Sequence, residues 1–169
     1  MAEAILANRM RALAFPLRVH SAGLGAMGGP ADEMIRTVLL SRGFEYGGHE
    51  STRVTHEAID RATLVLAMER RHVVDIATTV PGSFAKTFGL TEVVALGDQY
   101  GGRRPDESIA AWIRRLQVDR HPRGVLKFSP DFDVADPHGG PPAGYERCAD
   151  QLTQLIDALV VLLFGTDAR

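Results

Sequence analysis

The sequence predicts an α/β layered fold, with helices packed on a parallel sheet. Three observations carry that expectation. Thr63-Leu64-Val65-Leu66-Ala67-Met68 is an almost unbroken apolar run, the pattern of a strand buried on both faces, which occurs where helices cover a parallel sheet. Segments of helical periodicity alternate with short extended runs along the whole chain, as layered α/β domains require. The longest periodic stretch, 145–164, is apolar at Leu152, Leu155, Ile156, Leu159, Val160 and Leu163, a stripe that needs a core to face.

Taken in order, Ala2 to Leu13 reads as a helix with Ala4, Ile5, Leu6, Met10 and Leu13 on one side. Pro16 ends it. Leu17 to Ala22 alternates as a short strand closed by Gly23, and Gly25, Gly28 and Gly29 make the next stretch a loop. Pro30-Ala31-Asp32 opens a helix through Met34, Ile35, Val38 and Leu39 that stops at Gly43. His49 to Val54 is a polar connection, and Thr55 caps a short helix around Ile59. After the apolar run, 69–76 returns to helical spacing. Lys86 to Leu90 is a further strand, and Thr91 the cap of the helix after it. Gly97 to Pro105 is polar and glycine-rich, a solvated loop, and Ile109, Trp112, Ile113 and Leu116 mark one more helix.

Composition narrows the function classes. At 169 residues and 45% hydrophobic content, residues 1–169 are expected to form a single domain with a substantial core. A net charge of −2 gives no electrostatic argument for nucleic acid or for a membrane surface. No apolar run approaches the ~18 residues of a membrane span. A cytoplasmic location is the expectation. One cysteine, Cys148, excludes an intramolecular disulfide and a dithiol redox cycle.

The chemistry concentrates in Phe132-Asp133-Val134-Ala135-Asp136-Pro137-His138-Gly139-Gly140. Pro and Gly keep this stretch from forming a helix. Pro137 biases Asp136 toward an extended backbone, so its side chain is expected to point away from the local chain, as a general acid's must. Asp, Pro and Gly are also ordinary turn residues. Asp131, Asp133 and Asp136 have the look of a hard-metal site. His49 and His56, seven apart, lack the further ligands of a zinc site. No metal or other cofactor is expected.

Several stretches together resemble the low-molecular-weight protein tyrosine phosphatases, especially those of actinobacteria. They are Met1-Ala2-Glu3-Ala4-Ile5-Leu6, Ser21-Ala22-Gly23, His49 with Ser51-Thr52-Arg53-Val54-Thr55, Ala62 to Met68 with Glu69-Arg70, Thr87 to Glu92, and Asp133 to Pro137. They span nearly the whole chain in the family's order. The resemblance implies a three-layer αβα fold on a four-stranded parallel sheet of order 2-1-3-4, in which 17–22, 64–68 and 88–90 are strands two, three and four. It implies a cysteinyl-phosphate mechanism, with Asp136 as general acid toward the leaving oxygen and then as base toward water.

The family's Cys-x5-Arg-Ser phosphate loop, between its first strand and first helix, has no counterpart in these 169 residues. On this reading the central first strand, the nucleophile and the phosphate-binding Arg are absent from the chain, an N-terminal truncation. Cys148 is no substitute, because residue 154 is Gln. The resemblance also implies that Ser21 lies near the phosphate loop, and that Met27, with Ala26, occupies the loop where relatives carry an aromatic wall. His138-Gly139 stands where relatives carry an aromatic pair, and His72 falls near the rim of the site. Ser21, Met27 and His138 are thus the candidate substrate-binding residues. The implied partner is a phosphotyrosine-containing protein, with a bacterial tyrosine kinase as candidate. A catalytically inactive member acting as a binding module is the alternative; an arsenate reductase of related fold is disfavoured, since that chemistry needs several cysteines.

Overall fold

The structure, a computed structural model, describes residues 1–25, 28–118, 120–125 and 132–165. The chain forms two compact units, Met1–Val54 with Asp136–Ile156, and Thr55–Ala135 with Asp157–Arg169.

In the first unit, α1 (Ala2–Ala12) buries Ile5 and Met10. Asn8 ties α1 to the chain beyond the next helix: its Nδ2 donates to the Glu45 carbonyl at 2.9 Å, and its Oδ1 accepts the Glu45 N–H at 2.9 Å. α2 (Glu33–Ser41) starts where Asp32 accepts the Met34 N–H, as an N-cap should. It buries Val38 and Leu39. Tyr145 and Ala149, from the first half of α8 (Pro142–Phe164), pack on Val38 with Met34 and Ile35 around them. Arg42, at the end of α2, grips α8 through Glu146 at 2.7 Å and Asp150 at 2.6 Å.

The strand expected at 17–22 does not form. Leu17 and Val19 are half-buried while Arg18 and His20 are exposed, so the alternation of faces survives. A strand, however, is completed by a neighbour's hydrogen bonds. The nearest ladder contact here is a single parallel bridge, Gly23 to Arg53.

The second unit holds the sheet. β1 (Val65–Ala67) and β2 (Thr87–Gly89) run parallel in the register Val65–Thr87, Leu66–Phe88, Ala67–Gly89. These are the expected strands three and four, adjacent as anticipated; among the described residues the sheet has two strands, where this chain was expected to supply three of the family's four. α3 (His56–Arg61) is capped by Thr55, whose Oγ1 accepts the Ala58 N–H. α4 (Arg70–Thr79) covers the sheet with Val73 and Ile76. A 3-10 turn, Ser83–Lys86, leads into β2.

α5 (Leu90–Tyr100) is capped by Gly89 rather than Thr91: the Glu92 carboxylate reaches back to the Gly89 N–H at 3.0 Å, and the Thr91 hydroxyl is left buried without a partner. The loop expected from Gly97 begins only at Gly101, since Gly97 lies inside α5. A Cβ there would sit 2.5 Å from Leu162 Cδ1, so glycine permits the close approach of the end of α8. α6 (Ile109–Arg115) buries Trp112 and Ile113, and a short α7 (Pro122–Val125) follows.

The Gly101-Gly102-Arg103-Arg104 loop is no solvated linker. It closes the end of α8, where carbonyls lack intrahelical donors. Arg103 donates from its backbone N–H to the Leu162 carbonyl at 2.7 Å and from Nε to the Leu163 carbonyl at 2.7 Å. Arg115 fastens the loop by a two-pronged pair with Glu107, at 3.1 and 2.9 Å. Those hydrogen bonds, with the Arg104 N–H, hold the Glu107 carboxyl down at about 2. A depressed carboxyl stabilises the fold above its ordinary value near 4.5 and loses that contribution as pH falls through about 2. Glu107 is therefore expected to titrate near 2 by carboxyl-carbon NMR. In Arg115→Leu its midpoint should rise toward the ordinary range; an unchanged midpoint would contradict the assignment.

Candidate active site

The candidate acid lies in a loop several of whose residues are held by hydrogen bonds. Asp133 is half-buried and held on both oxygens. Its Oδ1 accepts the backbone N–H of Arg70 at 2.8 Å and Arg70 Nε at 3.0 Å, while Oδ2 accepts Nη2 at 3.0 Å. Burial pushes the Asp133 carboxyl up, but the Arg70 hydrogen bonds outweigh it and leave it below the usual range. Asp133 therefore caps α4, whose adjoining residue Glu69 makes no side-chain cap. One residue on, the Val134 N–H donates to the Met68 carbonyl at 2.8 Å, fastening the loop to the end of β1.

Asp136 itself is exposed. Its side chain does not point wholly away from the local chain. Oδ1 accepts the His138 N–H at 3.0 Å, the Asx turn that Asp forms readily two residues ahead. This fixes the carboxylate's direction and leaves Oδ2 with no protein partner among the described residues. Gly139 follows in the left-handed region, at φ 71°, which a side chain's Cβ would disfavour. The turn thus accounts for one of the two missing aromatics on backbone grounds alone.

Beside this turn stands a group that the sequence did not single out. Tyr145, almost fully buried, donates its hydroxyl to Asp32 Oδ2 at 2.6 Å and accepts the Gly139 N–H at 3.2 Å. His138 Nδ1 lies 3.3 Å from the same Asp32 oxygen. The Tyr145 hydroxyl, then the Met34 N–H, hold the Asp32 carboxyl below its usual range, and Asp32 in turn raises the Tyr145 phenol. Sequence reasoning placed Asp32 only at the opening of a helix, where a cap uses one carboxylate oxygen and leaves the second for another donor.

Of the expected substrate-binding residues, His138 joins Asp136 through its backbone. Ser21 donates its hydroxyl to Glu3 Oε2 at 2.7 Å, and His49 Nδ1 approaches that oxygen at 3.1 Å. Glu3 rather than the imidazole sits between serine and histidine, so this is not the order of a serine nucleophile with its base. Met27 and Asp131 lie outside the described residues. His72, a helix residue of α4, stands 3.7 Å from Glu69. Cys148 is buried in α8, and burial pushes its thiol up, the opposite of what a thiolate nucleophile needs. Among the described residues, no three His, Cys, Asp or Glu side chains converge as a metal site would require. No helix among them is long and apolar enough to cross a membrane.

Comparison with known proteins agrees with this geometry. The profile of the low molecular weight phosphotyrosine protein phosphatases matches residues 1–99. A protein-arginine-phosphatase of Geobacillus stearothermophilus is 32% identical over 161 residues, which cover 94% of this chain and 83% of that protein. A probable low molecular weight protein-tyrosine-phosphatase, EpsP, of Ralstonia nicotianae is 30% identical over 94 residues, 55% of this chain and 62% of that protein. Among solved structures, a low molecular weight protein tyrosine phosphatase from T. tengcongensis superposes with a TM-score of 0.72. It is 26% identical, over 96% of this chain and 88% of that one.

Proposed function

Because the chain belongs to the low-molecular-weight phosphotyrosine protein phosphatase family, we propose that it provides the general-acid half of a cysteine-dependent protein phosphatase, with Asp136 as the acid. The observation that carries this reading is the Asp136 carboxylate, exposed on a pinned turn with one oxygen fixed and the other without a partner among the described residues. That arrangement suits protonation of a departing oxygen or nitrogen, followed by activation of water against a cysteinyl phosphate. The nucleophile is not among these 169 residues: the sole cysteine is buried, and no Arg follows it at the spacing a phosphate loop uses. The second reading, a catalytically silent member that binds phosphorylated protein, is favoured by that same missing thiol.

The substrate is a phosphorylated protein side chain. Phosphotyrosine, presented by a bacterial tyrosine kinase, is the first choice. Phosphoarginine competes, since the relative aligned over 94% of this chain bears that activity in its name and residues 138 and 139 offer only the small imidazole of His138, with no Phe, Tyr or Trp ring, for stacking a phenol.

The 169-residue chain is expected to show no thiol-dependent hydrolysis of p-nitrophenyl phosphate. A chain extended before Met1 by a strand and a Cys-x5-Arg loop is expected to turn it over. Iodoacetate-sensitive turnover by the 169 residues alone would overturn the assignment of the nucleophile. An extended chain that folds yet stays silent would favour the binding module. Phosphotyrosyl and phosphoarginyl peptides offered to the active form decide between the two substrates.

A further inference from the structure

We propose that Asp32 is the positioning residue of the Asp136 loop, holding through Tyr145 and His138 the turn that presents the acid. This rests on the reading of Asp136 as the general acid.

Asp32 has two oxygens and divides them. Oδ1 accepts the Met34 N–H at 2.8 Å and begins α2. Oδ2 serves the loop, accepting the Tyr145 hydroxyl at 2.6 Å and facing His138 Nδ1 at 3.3 Å. A tyrosine hydroxyl carries one proton and two lone pairs. With its proton committed to Asp32, it presents a lone pair to the Gly139 N–H at 3.2 Å. The order of donors is therefore fixed by Asp32, which, as a carboxylate, can only accept. His138, between the two tethered points, gives its N–H to Asp136 Oδ1. Pro137 has a fixed φ, and Gly139 sits at φ 71°. From the acid to Gly139 almost every torsion is thus either intrinsic or secured by a bond that leads back to Asp32.

The platform under these bonds is firm. The Tyr145 ring packs on Val38 and Ala149 with Met34 and Ile35 at its edge, and Arg42 clamps the end of α2 to Glu146 and Asp150 of α8. Asp32 stands at the start of the one helix and Tyr145 in the first turns of the other. The tether therefore hangs from two elements already locked together. Positioning matters because a general acid must sit within hydrogen-bond reach of its leaving atom, and a misplacement of about 1 Å costs on the order of a hundredfold in rate.

Two substitutions separate positioning from structure. Asp32→Ser retains a good N-cap for α2 but is too short to reach Tyr145. Tyr145→Phe retains the ring and removes the hydroxyl alone. In the 169-residue chain, both should speed amide exchange at His138 and Gly139 about fivefold, as expected for loss of one ordinary hydrogen bond. Val38, Leu39 and Ala149 should exchange as in the parent protein. The double variant should add little to the single ones.

Unaltered exchange at His138 and Gly139 in both variants would overturn the proposal. So would a loosening shared equally by Val38, Leu39 and Ala149, which would make Asp32 merely structural. Failure of the acid reading is seen elsewhere: an Asp136→Asn variant of the active form with an unchanged dependence on leaving group would remove the acid and leave the loop result standing.

Discussion

Glu92→Ala is expected to destabilise the second unit by about 3–5 kcal/mol, the loss that follows when one partner of a buried ion pair is removed. The Glu92 and Arg120 side chains are only 5% and 4% exposed. Glu92 Oε1 accepts Arg120 Nε at 2.7 Å, and Oε2 accepts Nη2 at 2.9 Å as well as the Gly89 N–H that caps α5. Arg120 spends its remaining donors on the carbonyls of Phe84, at 2.9 Å, and Thr87, at 2.6 Å, and on Gln117 Oε1, at 3.3 Å. Its guanidinium lies 4.2 Å from the Phe84 ring centre and 3.8 Å from that of Phe88. Without Glu92, that cation stays enclosed between two rings with no counter-charge. The loss would be a large share of the ~5–15 kcal/mol typical of a whole domain.

Urea unfolding should register it as a lower midpoint with the slope preserved. Replacing both partners with apolar residues of like volume should recover much of the loss, because it removes the isolated charge along with the pair. An unfolding free energy within about 0.5 kcal/mol of the parent in Glu92→Ala, the range of a surface substitution, would mean that water reaches the site and that the pair is not enclosed.

What could be read in the sequence was what is local. β1 showed as an unbroken apolar run, β2 as the short stretch before Glu92, and α8 as a long stripe. Thr55 and Asp32 fell at helix starts because capping acts over three residues. The misreadings share one cause. Leu17 to Ala22 has a strand's alternation, yet alternation describes a backbone's faces and not its neighbours, and no ladder completes it. Thr91 has a good capping hydroxyl, yet Glu92 reached the Gly89 N–H first. Gly97 was taken for a loop residue, but its small size serves the packing of Leu162.

The site follows the same division. Asp136-Pro137 was visible as a motif, and His138 was visible as a departure from it. The partners that hold the loop were not: Arg70 and Asp133 lie 63 positions apart, and Asp32 and Tyr145 lie 113 apart. Pairing at that separation leaves no period or spacing in one sequence. It leaves only an unexplained polar atom, such as the second oxygen of Asp32 or the hydroxyl of a tyrosine on the apolar face of α8.

Asp136→Asn, made in a chain extended before Met1 by a strand and a Cys-x5-Arg loop, is expected on the proposed reading to lower kcat by ~10²–10⁴, the range contributed by a positioned general acid. The fall should not be uniform. A leaving group of high pKa cannot depart without a proton, so alkyl and simple phenyl phosphates should suffer most. p-Nitrophenyl phosphate, whose anion leaves readily, should suffer least, and the slope of log kcat against leaving-group pKa should steepen. KM should move little, because the amide of Asn keeps the carbonyl oxygen that accepts the His138 N–H, and the turn itself should persist. On the proposed reading, dephosphorylation of the cysteinyl intermediate also uses Asp136 as the base that activates water, so the variant should accumulate that intermediate when the leaving group is good. Rapid-quench measurement would then reveal a burst of phenol equal to the enzyme present. An equal loss across all leaving groups, with no burst, would strip Asp136 of the acid's role and leave it a turn residue.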